Sequence, residues 1–274
     1  MAVNGDWAKQ SNCAMMARPH PLLDGLISAY IGYDERLKVT RRRVIPTVAP
    51  LMLIDFGSVS RHLPGKPTHT ISNSPIFGLI ETFGAMELTG HDQGVAILFT
   101  PPGFLTLLEV TPGDLSNRWA GVHDVLGYQA AELAERLFHA APWANRFDVL
   151  NEFLLDRLTS ARYLSDTAVQ SWRELERASG RIRIDELADR SGHDRRSLEK
   201  LFHRHVGCPP KKAAKILRFR EAFRLICDRS RNENLAEIAA AAGYSDQAHL
   251  SRDVRELTGV TPGALRRQAA PMRG

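Results

Sequence analysis

Two stretches in the last third of the chain carry the side chains best suited to chemistry, and that chemistry is recognition rather than bond-making. Following Glu186-Leu187-Ala188-Asp189-Arg190-Ser191-Gly192, the sequence presents Arg195, Arg196, Glu199, Lys200, His203 and Arg204. Following Glu237-Ile238-Ala239-Ala240-Ala241-Ala242-Gly243, it presents Gln247, His249, Ser251, Arg252 and Arg255. Arginine and lysine can donate to guanine O6 and N7, and glutamine can pair with adenine N6 and N7. Glu199 is the odd member: phosphate repels it unless it accepts from a cytosine amino group.

These stretches are copies of one another. They align at an offset of 51 up to the glycine. Beyond it, Leu198/Leu250, Phe202/Val254, Gly207/Gly259 and Pro210/Pro262 align at 52, so the second copy has one extra residue in its turn. Each copy has the parts of a helix-turn-helix. Ala188 or Ala239 admits a close second helix, and the glycine supplies the positive φ that ends the first. Asp194 and the pair Ser245-Asp246 can cap the helix that follows. Those following helices are predicted over about 194–206 and 246–258. They bury Leu198, Leu201 and Phe202 in one copy and Leu250, Val254 and Leu257 in the other. A single basic amphipathic helix is more often a solvated face than a reading head. Two capped copies shift the balance toward recognition.

Between the copies, Pro209-Pro210 opens a predicted linker helix through Ile226, proline being suited to a first helical position. Upstream the texture changes. Residues 21–112 hold short apolar runs (51–56, 76–80, 95–99) between turn formers: Pro64-Gly65, Asn73-Ser74-Pro75, His91-Asp92-Gln93-Gly94 and Pro101-Pro102-Gly103. That pattern predicts a compact sandwich or barrel. After Thr111-Pro112-Gly113-Asp114 the apolar residues recur at three- and four-residue steps, predicting amphipathic helices, notably 148–162 and 166–179, the latter ended by Gly180.

Charge follows the same division. Residues 181–274 hold 20 Lys/Arg against 12 Asp/Glu, and the preceding 180 hold 16 against 19. A basic third on a mildly acidic remainder suits one module that meets a polyanion and another that does something else. No segment reaches the roughly 18 uninterrupted apolar residues of a membrane span, and the first 21 residues lack a signal-peptide pattern, so a cytoplasmic chain is expected. Cys13, Cys208 and Cys227 are too scattered for a disulfide framework or four-thiolate zinc site. Cys208 is read as a small packing residue rather than a redox sensor. The run Arg41-Arg42-Arg43 is read as a solvated strand edge.

The stretch Ile238-Ala239-Ala240-Ala241-Ala242-Gly243-Tyr244-Ser245-Asp246-Gln247-Ala248-His249-Leu250-Ser251-Arg252, with Gly259-Val260-Thr261-Pro262, resembles the signature of the AraC/XylS family of bacterial transcriptional regulators. The resemblance extends over about 182–267, through Leu198, Phe202, Gly207, Pro210 and Leu217-Arg218-Phe219-Arg220-Glu221-Ala222. It implies base-reading positions at Arg196, Glu199 and Lys200, and at Gln247, Ala248, His249, Ser251 and Arg252. Arg195 and Arg204 join them from the outward face of the first copy. Leu250, Val254 and Leu265 stand where the family usually has aromatic residues, which implies a repacked second unit. A fainter resemblance to the family's sensor domains rests on Arg43-Val44-Ile45-Pro46, the strand near 51–56 and Gly121-Val122-His123-Asp124-Val125-Leu126-Gly127.

The expected fold is therefore α+β. It comprises a lead-in (1–18), a small β-rich, barrel-like sensor domain (19–115), a helical connector suited to dimerisation (116–179), and an all-α domain of two helix-turn-helix units joined by a linker helix (180–274). The expected partners are double-stranded DNA, RNA polymerase, a second copy of the chain and a small-molecule effector. No cofactor, metal or catalytic residue is expected. The alternative is a metal-dependent, cupin-like enzyme using His62, His69, His91, Glu81 and Glu87. It lacks a His-x-His with a following Glu. Nor does the chain hold a Gly-x-Ser-x-Gly elbow or a glycine-rich phosphate loop.

Overall fold

A computed structural model describes residues 14–62, 70–71, 74–81, 84–228 and 233–268. Most of the lead-in, Cys13, Pro64-Gly65, His69 and Asn73 lie outside the described residues.

An antiparallel sheet forms from β1 (Ala14–Ala17), β2 (Ile27–Val44), β3 (Leu51–Asp55), β4 (Ser60–His62), β5 (Thr70–Ile71), β6 (Pro75–Phe77), β7 (Gly84–Phe99) and β8 (Trp119–Gly121). The pairing path runs β1-β2-β7-β3-β6-β8, with β4 on β7 and β5 on β4. Its spine is β2 on β7, in register from Ile27↔Phe99 to Val44↔Gly84 with two register shifts that bend the pair. Period-two alternation sends Tyr30, Met52, Ile54, Val95 and Ile97 toward a helical layer, and Ile31, Leu53, Ala96 and Leu98 to the opposite face. Both faces of these strands are buried, so their sequences read as unbroken apolar runs.

Three local expectations change in the structure. His91-Asp92-Gln93-Gly94 is not a turn but the middle of β7. Its polar side chains are satisfied within the sheet: His91 and Gln93 both bond Asp34, at 2.8 and 2.7 Å, and Asp92 accepts from Arg61 at 2.8 Å. Pro101-Pro102-Gly103 opens α1 (Pro101–Leu108), because Thr100 Oγ1 accepts from the Gly103 amide at 3.1 Å and the prolines occupy positions whose N–H would lack a partner. Arg42 is buried rather than a solvated edge residue, paired with Glu35 and with Asp92. Alternation along β2 turns it away from its exposed neighbour Arg41.

Four helices cover the inner face of the sheet together with α1: α2 (Val122–Leu126), α3 (Gln129–His139), α4 (Trp143–Thr159) and α5 (Asp166–Arg177). The helix expected over 148–162 thus starts five residues earlier, and α5 ends ahead of Gly180, as its sequence predicts. The chain continues as α6 (Ile184–Arg190), α7 (Arg195–His205), α8 (Pro210–Cys227), α9 (Leu235–Ala241), α10 (Gln247–Thr258) and α11 (Pro262–Gln268). Helix α8 is apolar around most of its circumference, as a helix covered on several sides must be. Its Ala213, Ala214, Ile216 and Leu217 share a core with Leu187, Leu198 and Phe202 of α6 and α7, and with Trp172 and Leu175 of α5. Its Phe219, Ala222, Phe223, Leu225 and Ile226 share another with Ile238, Leu250, Val254, Leu257 and Leu265.

The first of these cores also contains Val48 and Leu79, from segments that flank the sheet, both essentially inaccessible to solvent. Leu79→Ala should therefore destabilise the protein by about 2–5 kcal/mol, the usual range for a buried leucine. In urea unfolding followed by hydrogen exchange, amides of α7 should lose protection before those of α10. Equal loss in both helices would contradict the shared core.

Candidate nucleic-acid interface

Two helical pairs, α6/α7 and α9/α10, are built alike. In each, a seven-residue helix ends in a turn through a glycine of positive φ, Gly192 at 68° and Gly243 at 79°, a conformation other residues reach only at a cost. Each second helix is capped as its sequence predicts. Asp194 accepts from the Ser197 amide and Asp246 from the His249 amide, both at 2.7 Å. These amide bonds hold both carboxyls below the usual range, and the resulting anions sit at the positive ends of the helices. Helix α9 has a reciprocal cap of its own: Asn234 accepts from Ala236 and Glu237, and Glu237 accepts in return from the Asn234 amide.

With Leu198 and Phe202 turned inward, α7 exposes Arg195, Arg196, Glu199, Lys200, His203 and Arg204. Residues 196, 199, 200 and 203 fall at the three- and four-residue steps of one helical face. Glu199 is not isolated: Arg195 lies 3.8 Å from it and 3.5 Å from Asp185. Arg204 is drawn toward the upstream region, its guanidinium 5.9 Å from the Tyr163 ring centroid. Arg196 and Lys200 have no ion pair among the described residues.

On α10, Gln247, Ala248, Arg252 and Arg255 are exposed, whereas His249 and Ser251 are half-buried. His249 is fixed from two sides: Ser245 Oγ lies 3.1 Å from its Nδ1, and Tyr244 meets its ring edge-on at 5.0 Å. Arg252 Nε donates to the Ala248 carbonyl at 3.4 Å. A groove of about 370 Å³ runs beside this face, lined by Leu235, Ser251, Arg252, Arg255 and Thr261. All ten predicted site residues therefore lie on α7 or α10 at or near the surface.

Several residues that hold these helices have no local sequence signature. Lys215 of α8 reaches Glu256 at 2.7 Å and Asp253 at 3.4 Å, pinning α10 to the linker helix. Arg218 donates to the Gly180 carbonyl at 2.7 Å and stands 6.0 Å from the Tyr244 ring centroid. Burial pushes the Glu176 carboxyl up, and the charge of Arg220 opposes it. Charge-reversed spacing on a single helix could not have found these partners, since each pair joins different elements.

The residues of the metal-site alternative are dispersed in role. His62 is exposed on β4, His91 is paired with Asp34, and Glu81 binds Lys212 at 2.7 Å. Among the described residues no group of three or more His, Cys, Asp or Glu is placed to hold a metal ion. No helix among them is long and apolar enough to cross a membrane.

Residues 187–268 match the family HTH_18, described as a helix-turn-helix domain. The chain is 34% identical over 83 residues to the HTH-type transcriptional activator RhaS of Pectobacterium carotovorum, covering 30% of this chain and 29% of the relative. It is 35% identical over 83 residues to the HTH-type transcriptional regulator GlxA of Rhizobium meliloti, covering 30% and 25%. Over these residues the chain carries a helix-turn-helix domain of the kind found in transcriptional regulators. The match spans less than a third of the length of these curated relatives. Among solved structures, a probable AraC family transcriptional regulator from Rhodopseudomonas palustris is 29% identical, covering 39% of this chain and 100% of that one, with a TM-score of 0.36. ToxT from Vibrio cholerae is 12% identical, covering 89% and 98%, with a TM-score of 0.45.

Cys208 lies at the corner of the helix-turn-helix domain where α7 turns into α8, and it is buried in the first core. Burial pushes its thiol up to about 12, against a smaller opposing effect of Lys212. A thiol so disposed is inert, because the thiolate is the reactive form. In the folded protein at about pH 8, iodoacetamide should leave Cys208 unmodified, and urea should expose it to labelling. Peptide mass spectrometry reads the result, and labelling under native conditions would refute the assignment.

Proposed function

We propose that the protein is a sequence-specific transcriptional regulator that sets α7 and α10 into adjacent major grooves of double-stranded DNA. The observation that carries this reading is the pairing of two capped helices with outward-facing cations on either half of one buried rod. Helix α8 has 18 residues, about 27 Å of axis, against roughly 34 Å between successive major grooves on one face of B-DNA. The breadth of the flanking helices supplies the remainder.

Within this reading Arg196, Lys200, Arg252 and Gln247 read base edges, supported by their exposure near the capped ends of the two helices. Arg195 and Glu199 act as a pair, so Glu199 meets DNA with its charge partly offset. Ala248 offers a methyl to a thymine, and His249 and Ser251 contribute from a fixed geometry. Arg204 and Arg255 lie further along their helices, where phosphate contacts set register.

The regulator reading divides the chain as a sensor domain over 19–115, a connector over 116–179 and the DNA-binding domain over 180–274. The bent β2–β7 spine supports a barrel-like sensor for a small-molecule effector. The exposed side chains of Tyr128 and Phe138, at the two ends of α3, support pairing with a second copy through the connector. RNA polymerase is the partner through which a regulator of this kind acts in the cytoplasm.

Arg196→Ala and Arg252→Ala should each weaken operator binding by about 1–3 kcal/mol, relaxing preference at one base position. Binding should fall steeply with added salt, as expected when cations displace counterions from phosphate. Footprinting with both variants on fragments recovered from genomic DNA tests this. Unchanged protection by both would remove α7 and α10 from the reading role.

A further inference from the structure

Three segments between the sheet and the DNA-binding domain are stitched into one layer. Thr47 and Ile80 exchange backbone hydrogen bonds at 2.7 and 2.9 Å, joining residues 45–50 to 78–81. The Asn117 amide donates to Leu79 O at 2.8 Å, and Asn117 Oδ1 accepts from the Glu81 amide at 2.9 Å, which adds residues 112–117. This layer touches both halves of the DNA-binding domain. Val48 and Leu79 enter the core beneath α7, whereas Ile45 packs on the separate core beneath α10.

Two further contacts fix the layer to the corner between α7 and α8. Glu81 Oε2 lies 2.7 Å from Lys212 Nζ in the first turn of α8. Gly113 meets Gly207 backbone to backbone: a Cβ on Gly207, itself at φ +83°, would lie 2.2 Å from the Gly113 nitrogen. Only paired glycines permit that approach. Burial raises the Glu81 carboxyl, but hydrogen bonds from Lys212, Ser116 and Asn117 outweigh it and hold the group below its ordinary value. Glu81 is therefore an anion committed to this contact.

We propose that the layer formed by residues 45–50, 78–81 and 112–117 is a brace that sets the spacing and tilt between α7 and α10, with Glu81 and Lys212 as its positioning pair. A rod such as α8 fixes the axial distance between two units but resists twist and bending less well. A second, non-covalent link that bridges the two cores removes that freedom. Any change in the sheet that moves the layer then alters how well both helices meet DNA at once. The proposal rests on the two-groove reading, and its test separates the two.

The test uses the full chain and operator fragments whose half-sites stand at the native spacing or carry a two-base-pair insertion. The insertion turns one site by about 70° relative to the other. The ratio of affinities for the two fragments cancels any uniform change in phosphate attraction. The unaltered protein should prefer the native spacing by about tenfold or more, within the usual range of coupling between sites. Glu81→Lys, which sets two cations together, should shrink the ratio to about twofold, and Glu81→Lys with Lys212→Glu should restore it. Should Glu81→Lys lower the melting temperature, Lys212→Met, which removes the pair without repulsion, is read in its place. A folded single variant with an undiminished ratio overturns the brace, as does a double variant that fails to recover it. Protection of only one half-site by the unaltered protein overturns the two-groove reading itself and the brace with it.

Discussion

Helix α8 must be covered on several sides at once, and the arrangement of the last hundred residues depends on that requirement. Ten of its eighteen residues are buried, a load no single neighbouring helix pair could cover. Its first half completes the core of α6/α7 and its second half that of α9/α10. Neither pair is large enough to bury a core unaided, so each depends on the rod they share. The pairs are thereby tied to one axis by the hydrophobic effect. Polar contacts such as half-buried Lys215 with exposed Glu256 orient the result and contribute little energy.

The two outward faces differ in what their charge is free to do. The first has more cations in sequence, yet Arg195 is shared with Asp185 and Glu199, and Arg204 leans on Tyr163. Arg196 and Lys200 remain as its unpaired cations among the described residues. The second face has fewer charges but a more constrained presentation, with His249 held by Ser245 and Tyr244. Diffuse cations favour attraction to phosphate, whereas fixed donors favour discrimination among bases. On this physical basis the two helices are suited to unequal shares of affinity and specificity.

The repeat, its glycine turns, both aspartate caps and the proline start of α8 were legible because each depends on residues within a few positions of one another. The same holds for the apolar runs that became β3 and the end of β7. What could not be read was long-range neutralisation. Nothing near Asp92 signals that Arg42 and Arg61 lie across the sheet, so a polar tetrapeptide containing glycine looked like a turn. Nothing near Pro101 signals that α1 would be wholly buried, because turn and helix start share prolines. The contacts Glu81–Lys212 and Gly113–Gly207 span more than ninety residues, and neither carries a period or a motif.

Leu250, Val254 and Leu265 show how a departure from a family pattern can be absorbed. Aliphatic side chains at positions the family usually gives to aromatics remove volume, and an uncompensated loss would leave a cavity. All three are fully buried here, in one cluster with Phe219, Phe223 and Tyr244. Phe219 and Phe223 lie one turn apart on α8, their rings tilted by 52° with centroids 5.9 Å from each other. The aromatic bulk of this core therefore enters from the rod and from the turn before α10. Tyr244 also backs His249 edge-on, so the residue that fills the core supports a side chain on the exposed helix. The core that α10 shares with α8 thus holds aliphatic side chains from α10 against aromatic ones from the rod.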